Sequence, residues 1–292
     1  TLEQSVKLMA LHGQRGVFKP WGVEVAFGAK AAVPGLQLQL DAQRSVELIG
    51  RIDRVEQAEV EDKSYLRIID FKTGSKGLTL SEIFYGLKIQ LLVYMDIMMF
   101  YFQQLEEQKK IRPAGVFYYF FKNPIIKADK PLSSETIQQE MMAEMVPQGL
   151  VLADWQGLLL ADRQLAVGKS MLLPLTLKKN AAPYLSGEKN AEDEQEVLEL
   201  FDRRSSAVVT PKQMALLQRY VIQVICETGR EMLKGGIAIS PCRLKTFDSC
   251  QYCLYHAICH FEPQTANGYR ELQMLENELI WQAIEEQVID ND

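Results

Sequence analysis

Gly50-Arg51-Ile52-Asp53-Arg54-Val55 and Ile68-Ile69-Asp70-Phe71-Lys72-Thr73-Gly74 alternate apolar and polar residues in the manner of two neighbouring strands. Side chains two apart on a strand share a face, so Asp70 and Lys72 point the same way. Pairing of the strands as a hairpin would bring Asp53 and Asp70 to one end of a sheet. Two carboxylates, with the Phe71 carbonyl as a further oxygen, suit a hard divalent cation such as Mg²⁺ or Mn²⁺, which keeps several of its waters. In phosphodiester hydrolysis such a cation polarises the phosphoryl oxygen and lowers the pKa of a bound water; an ammonium group at Lys72 would orient that water or offset developing charge. Asp-x-Lys by itself carries little weight, because charged strand ends are usually solvated edges.

Outward from this pair, residues 23–27, 36–40, 45–57 and 64–71 read as strands separated by turn formers such as Pro34-Gly35 and Glu61-Asp62-Lys63, an antiparallel meander. Thr79 and Glu82 match a capping box that opens a long helix to about residue 108, with Ile83, Leu87, Leu91, Tyr94 and Met98 at three-to-four spacing. Gln90 and Tyr94 fall on one face of that helix, and the loop after Lys72 can return its first turns over the site. A core tyrosine beside an incidental glutamine is the plainer alternative. Residues 115–121 form a buried aromatic strand; Phe117 to Phe121 could stack on bases, but core packing explains them more simply. Strand, strand, strand, helix, strand is an α/β arrangement with a mixed sheet. Further on, residues 133–146 read as helix, 149–166 as a short mixed segment, and 178–195, with Pro183 and Gly187, as a mobile loop. Thr210-Pro211 opens a helix that runs to about Leu233 and stops at Gly235-Gly236, and residues 271–288 read as a final amphipathic helix. No internal repeat is present. The expected division is a core over 1–130, a helical elaboration over 131–240, a Cys-rich segment over 241–262 and a C-terminal helix over 263–292.

The chain is 47% hydrophobic and 24% charged, which excludes disorder as its default and allows one large domain or two small ones. No apolar run is long enough to cross a membrane and residues 1–10 lack a signal-peptide layout, so no membrane partner and a cytoplasmic location are expected. The first residue is Thr and residues 1–11 already read as helix, which points to a piece of a longer polypeptide. A net charge of -6 argues against a broad basic coat for nucleic acid, though not against a local cleft. The Lys109-Lys110 and Arg203-Arg204 pairs could touch phosphate; solvated faces explain them as well. Of five cysteines, Cys250, Cys253 and Cys259 fall within ten residues, spacing that suits soft-ligand metal binding before disulfides. Iron-sulfur, zinc completed by His256 and His260, and three small apolar packing residues all remain open.

Taken together, Gly50 to Asp53, Asp70-Phe71-Lys72-Thr73-Gly74 and Gln90-x-x-x-Tyr94 resemble the motifs of RecB-family nucleases in the PD-(D/E)xK superfamily. More specifically, they resemble the nuclease domain of AddB-type (RexB-like) helicase-nucleases, and the likeness continues through residues 113–119, 149–162 and 236–261. It implies a restriction-endonuclease-like mixed β-sheet flanked by helices, with additional C-terminal helices. It implies Asp53 and Asp70 as metal ligands, Lys72 as the catalytic lysine, Gln90 and Tyr94 as supporting residues, and Glu24 at a recurrent acidic position of uncertain role. Cys250, Cys253 and Cys259 match the last three thiolates of the family's [4Fe-4S] cluster. The family's first cluster cysteine and a metal-binding histidine lie upstream of the meander, outside this chain. His12 does not match that motif. Cys242 or Cys226 could replace the missing thiolate, though Cys226 sits mid-helix among apolar residues where packing explains it more simply, and an incomplete cluster is expected. The implied activity is Mg²⁺-dependent exonucleolytic cutting of DNA, trimming the 5′-ended strand during recombinational break repair beside a partner helicase-nuclease of the AddA type. A catalytically idle DNA-binding or subunit-docking fragment, and a stand-alone exonuclease, are the rival readings.

Overall fold

The computed structural model describes residues 2–74, 77–121, 124–191, 193–262 and 268–289. Glu192, in the stretch expected as loop, and residues 263–267 and 290–292 of the C-terminal segment lie outside these. In chain order the elements are α1 (Leu2–Arg15), β1 (Lys19–Phe27), β2 (Leu36–Gln39), β3 (Ser45–Leu48), β4 (Gly50–Val60), β5 (Lys63–Lys72), α2 (Leu80–Phe84), α3 (Gln90–Leu105) and β6 (Lys110–Phe120). There follow α4 (Ser134–Glu144), β7 (Gln148–Leu152), α5 (Trp155–Ala161), β8 (Gly168–Lys169), β9 (Thr176–Leu177), α6 (Ala182–Leu185), α7 (Glu194–Glu199), β10 (Val208–Val209) and α8 (Pro211–Leu233). The last are β11 (Cys242–Leu244), β12 (Phe247–Asp248), α9 (His256–Cys259), β13 (Arg270–Leu272) and α10 (Asn277–Ile289).

A six-stranded mixed sheet, ordered β1-β4-β5-β6-β7-β10, carries the fold. β5 lies parallel to β6 and β10 parallel to β7, while the other neighbours are antiparallel. Each face of the sheet has its own apolar cluster. On one, Leu66, Ile68, Val116, Tyr118 and Phe120 pack against α3, with α8 and α10 (Leu217, Val221, Ile284) closing the layer. On the other, Tyr65, Ile69, Phe117 and Tyr119 pack against Leu8 of α1 and Leu158 of α5. At about 1.5–3 kcal/mol per fully buried large apolar side chain, these two layers are the main force that fixes the strands. Central β5 is buried along nearly its whole length, as a strand covered on both faces must be.

Four expectations need correction. The meander is interrupted: β2 and β3 pair only with each other, and β1 reaches past them to β4. The helix expected from Thr79 to residue 108 is two helices, because Gly86 takes a left-handed φ of 71° and ends α2 after one capped turn. Residues 178–195 are not bare loop. A 3-10 turn at Lys179–Ala181 leads into α6, α7 begins at Glu194, and Ala181 is fully buried. The last helix starts at Asn277, since Arg270–Leu272 instead pairs with β11 as a strand. α8 fits its expected limits: Thr210 and Gln213 form a capping box and Pro211 occupies the first turn.

Candidate active site

The site forms where the sheet divides. β4 and β5 pair from Val60↔Lys63 to Arg54↔Ile69 and no further. Beyond that point β4 continues along β1 as far as Phe27↔Gly50, and β5 continues along β6 as far as Lys72↔Phe120. The two strands therefore part in a V, with Asp53 on one arm and Asp70 on the other. The Asp53 carboxylate closes the gap: its Oδ2 accepts the Phe71 backbone N–H at 2.7 Å, standing in for a ladder bond that parted strands cannot make.

Asp70 is 3% exposed, and Lys72 Nζ lies 2.5 Å from its Oδ2. Oδ2 is thus ion-paired with Lys72. Burial raises the Asp70 carboxyl above its ordinary range; Lys72 opposes the shift and the Asp53 charge adds to it. A buried carboxylate beside a second one, with the Phe71 carbonyl next to Asp70 in the chain, is a donor set that fits a hard divalent cation.

Lys72 keeps 40% of its side chain exposed, and its ammonium also lies 5.5 Å from the centre of the Tyr118 ring, within cation–π range. Tyr118 pairs with Asp70 across β5 and β6. Burial holds its hydroxyl above its ordinary range, and the charges of Asp70 and Glu82 add to the shift. Sequence reasoning missed this residue, treating the whole aromatic strand as core; its only signal was its place in register with Asp70.

Gln90 opens α3 and donates from Nε2 to the Tyr94 hydroxyl at 2.6 Å. The Tyr94 ring meets Phe27 edge-on at 5.7 Å between centres, and Phe27 in turn covers Gly50, where a Cβ would come within 2.9 Å of its ring. Gly50, at the base of the Asp53 arm, is thus a glycine because an aromatic ring occupies the space above it. Gln90 and Tyr94 are joined to each other and, through Phe27, to that arm.

Other candidates lie elsewhere. Glu24, with a left-handed φ of 50°, sits exposed and pairs with Arg51 at 3.2 Å. His12 is buried on the opposite face of the sheet against Tyr119. Lys109 is paired with Glu59 and Glu106, and Lys110 with Asp62. Cys226 is packed with Leu38 and Leu40. Cys242 is buried in β11, while half-buried Cys250 and exposed Cys253 lie in the turn segment after β12, and half-buried Cys259 ends α9. Among the described residues no three His, Cys, Asp or Glu side chains are gathered as a metal centre, so the thiols as arranged do not fit an assembled cluster. A cavity of about 930 Å³ is lined by Thr79, Gln148, Lys169, Arg203, Arg204 and Trp281 among others. It does not include Asp53, Asp70 or Lys72. No helix among the described residues is long and apolar enough to cross a membrane.

Comparison with known proteins shows the family. The family model described as the PD-(D/E)XK nuclease superfamily matches residues 1–260. The B-type subunit of the ATP-dependent helicase/deoxyribonuclease of Clostridium novyi is 34% identical over 284 residues, 97% of this chain and 23% of the relative. The protein of the same name from Desulforamulus reducens is 33% identical over 291 residues, 99% of this chain and 23% of the relative. That of Listeria welshimeri is 36% identical over 257 residues, 87% of this chain and 20% of the relative. The chain thus spans less than a quarter of the length of these relatives.

Proposed function

This chain belongs to the PD-(D/E)XK nuclease superfamily, and on that footing we propose that it is a metal-dependent deoxyribonuclease domain whose site is Asp53, Asp70, Phe71 and Lys72. One observation carries the reading: the Asp53 carboxylate bonds the Phe71 N–H across the divided strands, which draws both acids and the lysine to one corner. Asp53, Asp70 and the Phe71 carbonyl would hold Mg²⁺ or Mn²⁺, which when bound supplies Lewis acidity toward phosphate and a lower pKa for water. The chain's own groups do the positioning. Asp70 and the Tyr118 ring hold the Lys72 ammonium, where it would orient the attacking water and offset charge on the phosphoryl oxygens. Gln90 and Tyr94 brace the Asp53 arm through Phe27.

The names of the similar proteins, helicase/deoxyribonuclease subunits, favour DNA as substrate and a partner subunit. The motif resemblance, and not those names, favours a partner of the AddA type and exonucleolytic trimming in recombinational break repair. Asp70→Ala should lower Mg²⁺-dependent cleavage of linear DNA on the order of 10³-fold or more, with unchanged circular dichroism. Cleavage at the original rate in that variant would end the assignment. The rival, an idle DNA-binding or docking module, draws on the lack of a third ligating side chain among the described residues. Calorimetric titration with Mn²⁺ separates the two, since an idle site binds metal feebly and cuts nothing.

A further inference from the structure

The sheet face opposite Asp70 carries a second cluster of charge that the proposed chemistry does not use. Arg54 and Glu56 on β4 and Arg67 on β5 meet there, and Glu56 is shared between the two arginines. Arg67 Nε donates to its Oε2 at 2.6 Å, and Arg54 pairs with its Oε1 at 2.6 Å. Burial alone would raise the Glu56 carboxyl; Arg67 and Arg54 more than reverse that, so it stays ionised. Two guanidiniums against one carboxylate leave one positive charge unbalanced. Arg67 is 3% exposed and lies 4.5 Å from the centre of the Phe18 ring, so water does little to screen it.

From α1, His12 reaches the same place, its Nε2 2.9 Å from the Tyr119 hydroxyl. Burial, then the charge of Arg67, hold its imidazole well below its ordinary value; the ring is neutral at pH 7 and does not alter the count. These side chains line a cavity of about 80 Å³ whose other walls include Met9, Ile69 and Phe71. Three buried polar atoms of its lining residues have no partner: Arg67 Nη1, Arg54 Nε and His12 Nδ1. Guanidinium nitrogens only donate, and His12 Nδ1–H donates when the Tyr119 hydroxyl donates to Nε2. Two unpaired guanidinium donors, joined by a third when His12 carries its proton on Nδ1, and an excess positive charge among the residues lining one small space call for an acceptor that also carries negative charge.

We propose that this cavity is a binding site for a small monovalent anion, a halide, held by Arg67, Arg54 and His12. Bound there, it bridges α1 to β4 and β5 and braces the strands behind Asp53 and Phe71. The inference is independent of the nuclease reading. It is tested with crystals of the chain grown in sodium bromide, together with melting in sodium chloride and in sodium gluconate at one ionic strength, gluconate being too large for the cavity. The expected results are a bromine anomalous peak among Arg67, Arg54 and His12, and a midpoint roughly 2–4 °C higher in chloride. Arg67→Met, which removes the excess charge, should abolish that difference; should it fail to fold, His12→Gln should reduce it, and the wild-type crystal still decides. Bromide crystals with only water in the cavity, or a chloride effect undiminished in the variant that folds, would overturn the proposal.

Discussion

Asp70 and Cys253 both belong to sets of side chains suited to metals, and their surroundings differ in every respect. Asp70 is 3% exposed, at the end of a strand covered on both faces by core. Cys253 is exposed, between Tyr252 at 87% and Leu254 at 94% exposure. Around the acidic pair the backbone is fixed by β1, β6 and α3, so the cost of holding two carboxylates together is offset by apolar burial that exists without metal. Among the described residues around the thiols only Cys242, Leu244 and Phe261 are buried, and ligands so weakly held would be ordered mainly by a metal, were one to bind. The contrast is between side chains held in place by core and side chains that the described core does not hold.

The strongest test of the core-held half is chemical. Lys72→Ala should reduce cleavage by about 10²–10³-fold with little change in the melting midpoint, because its ammonium acts on developing charge and not on the core. Loss of folding in that variant would mean that the corner is a structural ion pair. Next comes the cost of burying acid on the same scaffold. Asp96, on α3, is bonded by Gln218, and burial raises its pKa to about 7. A carboxyl raised in the folded state is costless below its unfolded value; stability is lost as pH climbs from about 4 through 7, and the full penalty persists above. Thermal melts should show that decline, and Asp96→Asn should remove it and gain on the order of 2 kcal/mol at pH 8; parallel pH profiles would contradict the account. A smaller effect is expected for Tyr94→Phe, which deletes the 2.6 Å bond from Gln90. About 0.5–1.5 kcal/mol of stability and severalfold in cleavage should go with it, and an unchanged rate would remove Gln90 and Tyr94 from the supporting set. Smallest of all, Cys253→Ser in metal-free chain should shift stability by less than about 0.5 kcal/mol. A larger loss would make the thiol segment part of the core and dissolve the contrast.

What could be read in advance follows the range of the forces involved. Asp70 and Lys72 share a face by strand geometry alone, and the Thr210 capping box is a local bond, so both are written in short stretches. The parting of β4 from β5 depends on β1 and β6 pulling the strands different ways, and no local pattern announces it. Gly86 ends α2, yet Ile83, Leu87 and Leu91 keep helical spacing across the break because the turn buries the same face. α3 sits between the sheet and α8, so its apolar residues surround it and obscure which side meets the site. Tyr118 was hidden for the opposite reason: in an aromatic strand, the one ring that faces Lys72 looks like its neighbours.

The account rests on two acids meeting across divided strands to share one cation. Diffraction from crystals soaked in Mn²⁺, recorded at the manganese edge, tests this directly. A single strong anomalous peak bound by Asp53, Asp70 and the Phe71 carbonyl is the predicted result. Saturating Mn²⁺ with no density at that corner, or a peak that touches only one of the two carboxylates, would contradict it.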